Sequence, residues 1–238
     1  MKRDTILFDL DGTLLPVELD EFLEHYFHSL TEELSDLFEK EVLIEAIMKA
    51  TNDMIDNDGS KLNCEVFKDS FFRLVRVDNQ EEVMARFDRF YKTKFTLIKE
   101  LINGNEIPAR VVNYLKERNY RLIVATNPLF PLIAIMERIS WSNLDPDDFS
   151  FITAYENMHY CKPSLNYYRE IMGKCNLEPE QCFMIGNDTK EDMIAGQLGI
   201  KTLLVTDHLI DRGPDDRYES DWSGKLQELI GFFENKGR

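Results

Sequence analysis

The stretch "TILFDLDGTLLP", residues 5 to 16, decides how the rest of the chain is read. Thr5, Ile6, Leu7 and Phe8 form an uncharged run rich in strand formers, the pattern of a strand buried on both faces. The run ends in two aspartates one residue apart, Asp9 and Asp11, followed by Gly12 and Thr13. Aspartate is a poor strand former, and two carboxylates about 4 Å apart repel by about 4 kcal/mol at an effective dielectric of 20. Such a pair on the end of a buried strand calls for positive charge.

Beyond this stretch two textures alternate. Residues 18 to about 102 read as helical throughout. Phe22, Tyr26, Leu30 and Leu34 recur every four residues, and Leu43, Ile47, Ala50 and Met54 follow the same spacing. Phe67, Phe71 and Leu74 mark a third helix, and Val83, Phe87 and Phe90 a fourth with Asn79 as its N-cap. From about residue 106 short apolar runs alternate with helices. Strand-like "YRLIVATN" (120–127), "FSFITA" (149–154), "QCFMIGND" (181–188) and "IKTLLVTD" (200–207) are separated by helices over about 108–118, 130–141, 164–175 and on to about 198. A polar loop then leads to a C-terminal helix from about 224. This alternation predicts an α/β fold, a parallel sheet covered on both faces, with the helical block inserted after the first strand. Ligands bind such sheets at the C-terminal ends of the strands.

Three of those ends carry residues foreign to a core: Asp9-Leu10-Asp11-Gly12-Thr13, Thr126-Asn127, and Gly186-Asn187-Asp188 with Asp192 beyond. Lys162-Pro163 precedes the fourth strand on the same side. Carboxylates, a hydroxyl, an ammonium and main-chain N–H groups suit a divalent cation together with a phosphoryl group. Taken singly, each feature is also explained by turns and helix-dipole complements; four at successive strand ends, in this order, are a sharper signal.

In order, "DLDGT", "VATN", "CKPS" and "GNDTKED" resemble the four motifs of the haloacid dehalogenase-like (HAD) hydrolase superfamily. The resemblance implies a Rossmann-like core over 1–16 and 104–238, with 17–103 as an inserted α-helical cap. It implies Asp9 as the nucleophile that forms an aspartyl-phosphate, and Asp11 as the acid and then base. Phosphate would be held by Thr126, Lys162 and the Leu10, Asp11, Gly12 and Asn127 segment. Mg²⁺ would be held by Asp9, Asp11 (through its carbonyl) and Asp188, with Asn187 and Asp192 in the outer shell. The chain has Asn187 where many members carry an acid. Dehalogenase and phosphonatase branches lack an acid at the position of Asp11, so the resemblance implies a phosphatase acting on a small phosphate monoester.

A phosphomutase or phosphotransferase would use the same residues. A phospho-accepting receiver domain is about half this length and ends a middle strand in its phosphorylated aspartate. Calcium loops fit poorly, because "LFDLDGTLLPVE" and "MIDNDGSKLNCE" begin with Leu7 and Met54.

The 238 residues are 43% apolar and 30% charged, enough for a packed core. A net charge of −16 argues against nucleic acid and anionic membranes as partners, and points with the cap to a small phosphorylated metabolite. No apolar stretch reaches the roughly 18 residues of a membrane span, and the N-terminus has no signal-peptide pattern. Cys64, Cys161, Cys175 and Cys182, scattered without metal-ligand spacing, read as reduced thiols of a cytoplasmic protein. Glu18, Glu21, His25 and His28 on the first helix and the loop before it are candidates for the substrate pocket.

Overall fold

In the computed structural model, which describes residues 3–101 and 105–236, the apolar runs become parallel strands. They are Thr5–Phe8 (β1), Arg121–Val124 (β2), Phe151–Ile152 (β3), Cys182–Gly186 (β4), Lys201–Val205 (β5) and Trp222–Gly224 (β6). Their order is β3-β2-β1-β4-β5-β6, with every neighbouring pair parallel. This is a Rossmann-like sheet. β1 lies at its centre, with Leu7 beside Ile123 on one side and Met184 on the other. The chain builds outward from β1 through β2 and β3, then returns to lay β4 on the other flank. That reversal opens a crevice at the C-terminal ends of β1 and β4.

Successive strand residues point to opposite faces, which sorts the core into two clusters. Ile6, Phe8, Val124 and Ile185 pack with Ile107–Lys116 (α5), Leu132–Trp141 (α6) and Leu229–Lys236 (α8). Leu7, Ile123 and Met184 pack against Leu165–Cys175 (α7) through Tyr167, Tyr168 and Ile171. Because both faces are covered, the strands read as continuous apolar runs.

The helical block consists of Leu19–Glu33 (α1), Lys40–Ile55 (α2), Asn63–Leu74 (α3) and Gln80–Lys92 (α4), followed by a 3₁₀ stretch, Phe95–Leu101. Asn79 caps α4, its side chain accepting the Glu82 N–H at 3.1 Å. The block meets the sheet side of the molecule through aromatic rings: Phe22 and Phe95 lie 6.3 and 5.1 Å from Trp141, and Tyr26 lies 5.3 Å from Phe130. The first boundary expected for the block, at residues 16 and 17, falls between the end of β1 and the start of α1. The second, at residues 103 and 104, lies outside the described residues.

Four local expectations are corrected. The polar segment before the C-terminus contains β6, and its helix begins at Leu229 rather than near 224. Trp222 has no apolar neighbours in sequence, so only pairing with β5 reveals the strand. The segment after β4 is a 3₁₀ stretch, Met193–Leu198, ended by Gly199. "FSFITA" contributes only Phe151–Ile152 to the sheet. Leu74 is 47% exposed, and the buried face of α3 is Asn63, Phe67, Ser70 and Phe71. No helix among the described residues is long and apolar enough to cross a membrane.

Candidate active site

β1 delivers Asp9 to the crevice, the Asp9 N–H still donating to Ile185 O at 2.8 Å as the last rung of the sheet. The next residues cannot extend the strand. Gly12 turns at φ +79°, and a Cβ there would stand 2.2 Å from Asn187 Nδ2. The turn is closed by the Gly12 N–H on Leu15 O at 2.8 Å and the Thr13 N–H on Leu10 O at 3.1 Å. On β4, Gly186 leaves room for Asp192, whose Oδ2 would be 2.1 Å from a Cβ at that position. The glycines of the first and fourth motifs are therefore there for close approach.

Lys162 is the hinge of the constellation. Its Nζ donates to Asp9 Oδ1 at 2.8 Å and to Asp192 Oδ1 at 2.6 Å, with the lysine side chain only 1% exposed. Asp192 in turn accepts the Asp188 N–H at 3.0 Å, tying β1, β4 and the segment before α7 together. Burial pushes the carboxyls of Asp9 and Asp192 above the usual range, with Lys162 opposing the shift. Burial works against the Lys162 ammonium, but Asp192 and Asp9 outweigh it and hold lysine well above its ordinary value. The positive charge that the aspartate pair calls for comes from within the chain: Lys162 compensates Asp9.

Thr13 adds a hydroxyl that lies 3.3 Å from Asp9 Oδ2 and 3.2 Å from Asn187 Oδ1. Thr126 is buried, and its carbonyl accepts Thr153 Oγ1 at 2.7 Å and the Tyr167 hydroxyl at 2.8 Å. Asn127 Oδ1 accepts the Lys162 N–H at 3.3 Å, and its Nδ2 donates to Glu191 at 3.1 Å. Among the described residues, the N–H groups of Leu10, Asp11 and Asn127 donate to no protein acceptor. Such groups at strand ends suit phosphoryl oxygens.

The carboxylates of Asp188 and Asp11 are each held by an arginine. Among the described residues no three His, Cys, Asp or Glu side chains stand close enough to hold an ion. Asp188 Oδ2 accepts from Arg212 Nε at 2.9 Å and Nη2 at 2.5 Å, while its Oδ1 accepts the N–H groups of Lys190 and Glu191. Asp11 Oδ2 accepts from Arg138 Nη1 at 2.6 Å. Asp192 is the partner of both Lys162 and the Asp188 N–H. The donor chemistry nevertheless fits Mg²⁺. Asp9 Oδ2 has only the long Thr13 contact, Asp188 already balances a cation, and Mg²⁺ commonly takes one or two carboxylates with water for the rest. The fit requires Arg212, which is 40% exposed, to give up Asp188.

Of the four cap candidates, Glu18 reaches the rim. Its Oε1 is 2.8 Å from His208 Nδ1, and the His208 carbonyl accepts from Asn187. Glu21 is exposed, His25 half-buried, and His28 borders a separate surface hollow with Thr31, Glu32 and Lys94. Sequence reading missed Arg138 and Arg212. Arg138 carried a signal: it stands three and four residues after Ile135 and Ala134, on the apolar stripe of α6. Arg212 carried none, since it sits in a polar loop.

The sequence pattern of the haloacid dehalogenase-like hydrolases matches residues 6–205, most of the chain. The chain belongs to that family. It is therefore a hydrolase, with the four motifs of the family at four neighbouring points of one crevice. Among curated relatives, pyrophosphatase PpaX of Bacillus cereus (strain Q1) is 23% identical over 241 residues, covering 100% of both chains. Among solved structures, a phosphoglycolate phosphatase assigned by prediction in Haemophilus somnus 129PT superposes with a TM-score of 0.59 at 17% identity, over 98% of this chain and 99% of that one. A protein described as the HAD-hydrolase YfnB of Bacillus subtilis, bound to magnesium, gives 0.59 at 19% identity, over 98% and 100%. At these identities the structures show a shared fold.

Proposed function

We propose that this hydrolase is a Mg²⁺-dependent phosphatase that cleaves a small phosphate monoester through an aspartyl-phosphate on Asp9. The observation that carries the reading is the buried Lys162 bridge between Asp9 and Asp192, with a second carboxylate, Asp11, two residues from the first. A carboxylate held by an ammonium and flanked by N–H groups without acceptors is suited to attack phosphorus while the phosphoryl oxygens are received. Lys162 orients Asp9 and offsets the charge that the phosphoryl group brings. Thr126 and the N–H groups of Leu10, Asp11 and Asn127 bind its oxygens. Asp11 gives a proton to the leaving oxygen and then takes one from the attacking water. When bound by Asp9, the Asp11 carbonyl and Asp188, Mg²⁺ supplies charge stabilisation at the phosphoryl oxygens.

Relatives named as a pyrophosphatase and a phosphoglycolate phosphatase, and one bound to magnesium, support phosphoryl chemistry and the metal. In this reading residues 17–103 form a cap that excludes water and limits the substrate to a small phosphorylated metabolite. Nucleic acid and anionic membrane are disfavoured by the net charge of −16. The test is phosphate release from para-nitrophenyl phosphate and a panel of phosphorylated metabolites, with and without Mg²⁺. Mg²⁺-dependent release from at least one member is expected; none from any member overturns the reading.

A further inference from the structure

Arg138 has no place in the four motifs, yet it is among the most deeply buried charges in the molecule, 1% exposed. A buried charge is costly unless it is paired. Among the described residues its one ion pair is with Asp11, which lies 127 positions away in the sequence. Nη1 holds Oδ2 at 2.6 Å, while Nε and Nη2 have no hydrogen-bond partner. The guanidinium is fixed in turn by two rings, its carbon 4.5 Å from the centre of Phe130 and 5.3 Å from that of Phe22. Phe130 follows the end of β2, and Phe22 lies on α1 of the helical block. The planar, rigid head of arginine suits both the stacking and the directed hydrogen bond.

The consequence falls on Asp11. Its Oδ2 is occupied, whereas its Oδ1 is buried without a partner. We infer that Arg138 is the positioning residue of the reaction: it fixes the Asp11 carboxyl so that Oδ1 is the oxygen that exchanges protons with the substrate. This rests on the phosphatase reading above. In the first half, Asp9 bonds to phosphorus, the ester P–O bond breaks, and the leaving oxygen takes the proton from Asp11 Oδ1. In the second, water bonds to phosphorus, the Asp9–P bond breaks, and the water proton passes to Oδ1. Arg138 touches neither substrate nor phosphorus, and acts only through Asp11.

The test is a series of substituted phenyl phosphates, from para-nitrophenyl to unsubstituted phenyl, turned over by wild type, Arg138→Met and Asp11→Asn. Poorer leaving groups depend more on the proton donor. Arg138→Met is expected to lose about tenfold or more in kcat/KM on phenyl phosphate and only a few-fold on the para-nitrophenyl ester, since kcat/KM reports the half in which the leaving group departs. Asp11→Asn is expected to show the same skew, more strongly. A purely structural role for Arg138 would lower the whole series by one factor, and that result, or no loss at all, overturns the inference. If the methionine variant does not fold, Arg138→Lys keeps the charge without the planar fork and is judged by the same criterion: skew supports, a flat profile overturns. Wild type that cleaves no member of the series or of the metabolite panel removes the phosphatase reading and this inference together. Wild type that cleaves them, beside a flat variant, removes the role of Arg138 alone.

Discussion

Lys162→Met should cost stability as well as activity, and the structure sets the scale. The ammonium bridges Asp9 and Asp192 at 2.8 and 2.6 Å, and the side chains of Lys162 and Asp192 are each 1% exposed. Removing one partner from a buried ion pair typically costs about 3–5 kcal/mol, because the other charge is left uncompensated. For a chain of this size, at roughly 2–4 °C per kcal/mol, the melting temperature should fall by about 6–20 °C. The loss should depend on pH, with a definite sign. Burial already raises both carboxyls, and Lys162 is what opposes it. Without the lysine their folded values rise further above the unfolded value of about 3.9. A group raised on folding contributes stability that is present at low pH and lost as pH climbs through its folded value. The deficit of the variant relative to wild type should therefore be smallest near pH 4–5 and largest near pH 8. Thermal melts followed by circular dichroism at several pH values measure it. Adding Asp192→Asn removes one of the two stranded charges and should restore part of the loss at pH 8. A melting temperature within about 2 °C of wild type, or a deficit that does not change with pH, would refute the claim that Lys162 is the buried counter-ion of this crevice.

Asp9→Asn should abolish the acid-quenched phospho-enzyme detected by mass spectrometry and lower turnover on the order of 10³-fold or more; near wild-type turnover would rule out the covalent route. Arg212→Ala should bind metal more tightly, because Asp188 is released from its internal cation. The gain in Mn²⁺ affinity, read by electron paramagnetic resonance without substrate, should be up to about fivefold, as expected for a partly exposed ion pair. Unchanged or weaker binding would mean that Arg212 does not compete for Asp188.

Deleting the helical block, a natural first experiment from sequence, is a poor test in this fold. Phe22, Tyr26 and Phe95 pack directly on Phe130 and Trp141, so the excised core would expose that aromatic surface. Substitutions at the rim, such as Glu18→Ala beside His208, probe specificity without uncovering the core.

Most of what local periodicity and short-range chemistry govern is legible in the chain. Continuous apolar runs specify strands buried on both faces, residues spaced by three and four specify the helices, and Asn79 caps α4 where expected. Motif residues sit at strand ends, so a parallel sheet puts Asp9, Asp188 and Asp192 along one edge, and the adjacency of β1 and β4 brings them into one crevice. Tertiary structure alone decided the partners. Arg138 meets Asp11 across 127 residues, and Arg212 meets Asp188 from a loop with no pattern of its own. β6 exists because β5 offers an edge to pair with. Charge pairing at a distance leaves no period in a sequence, since it depends on which strand ends adjoin. Here that depends on β1 and β4 being neighbours, a choice made by packing both faces of the sheet at once.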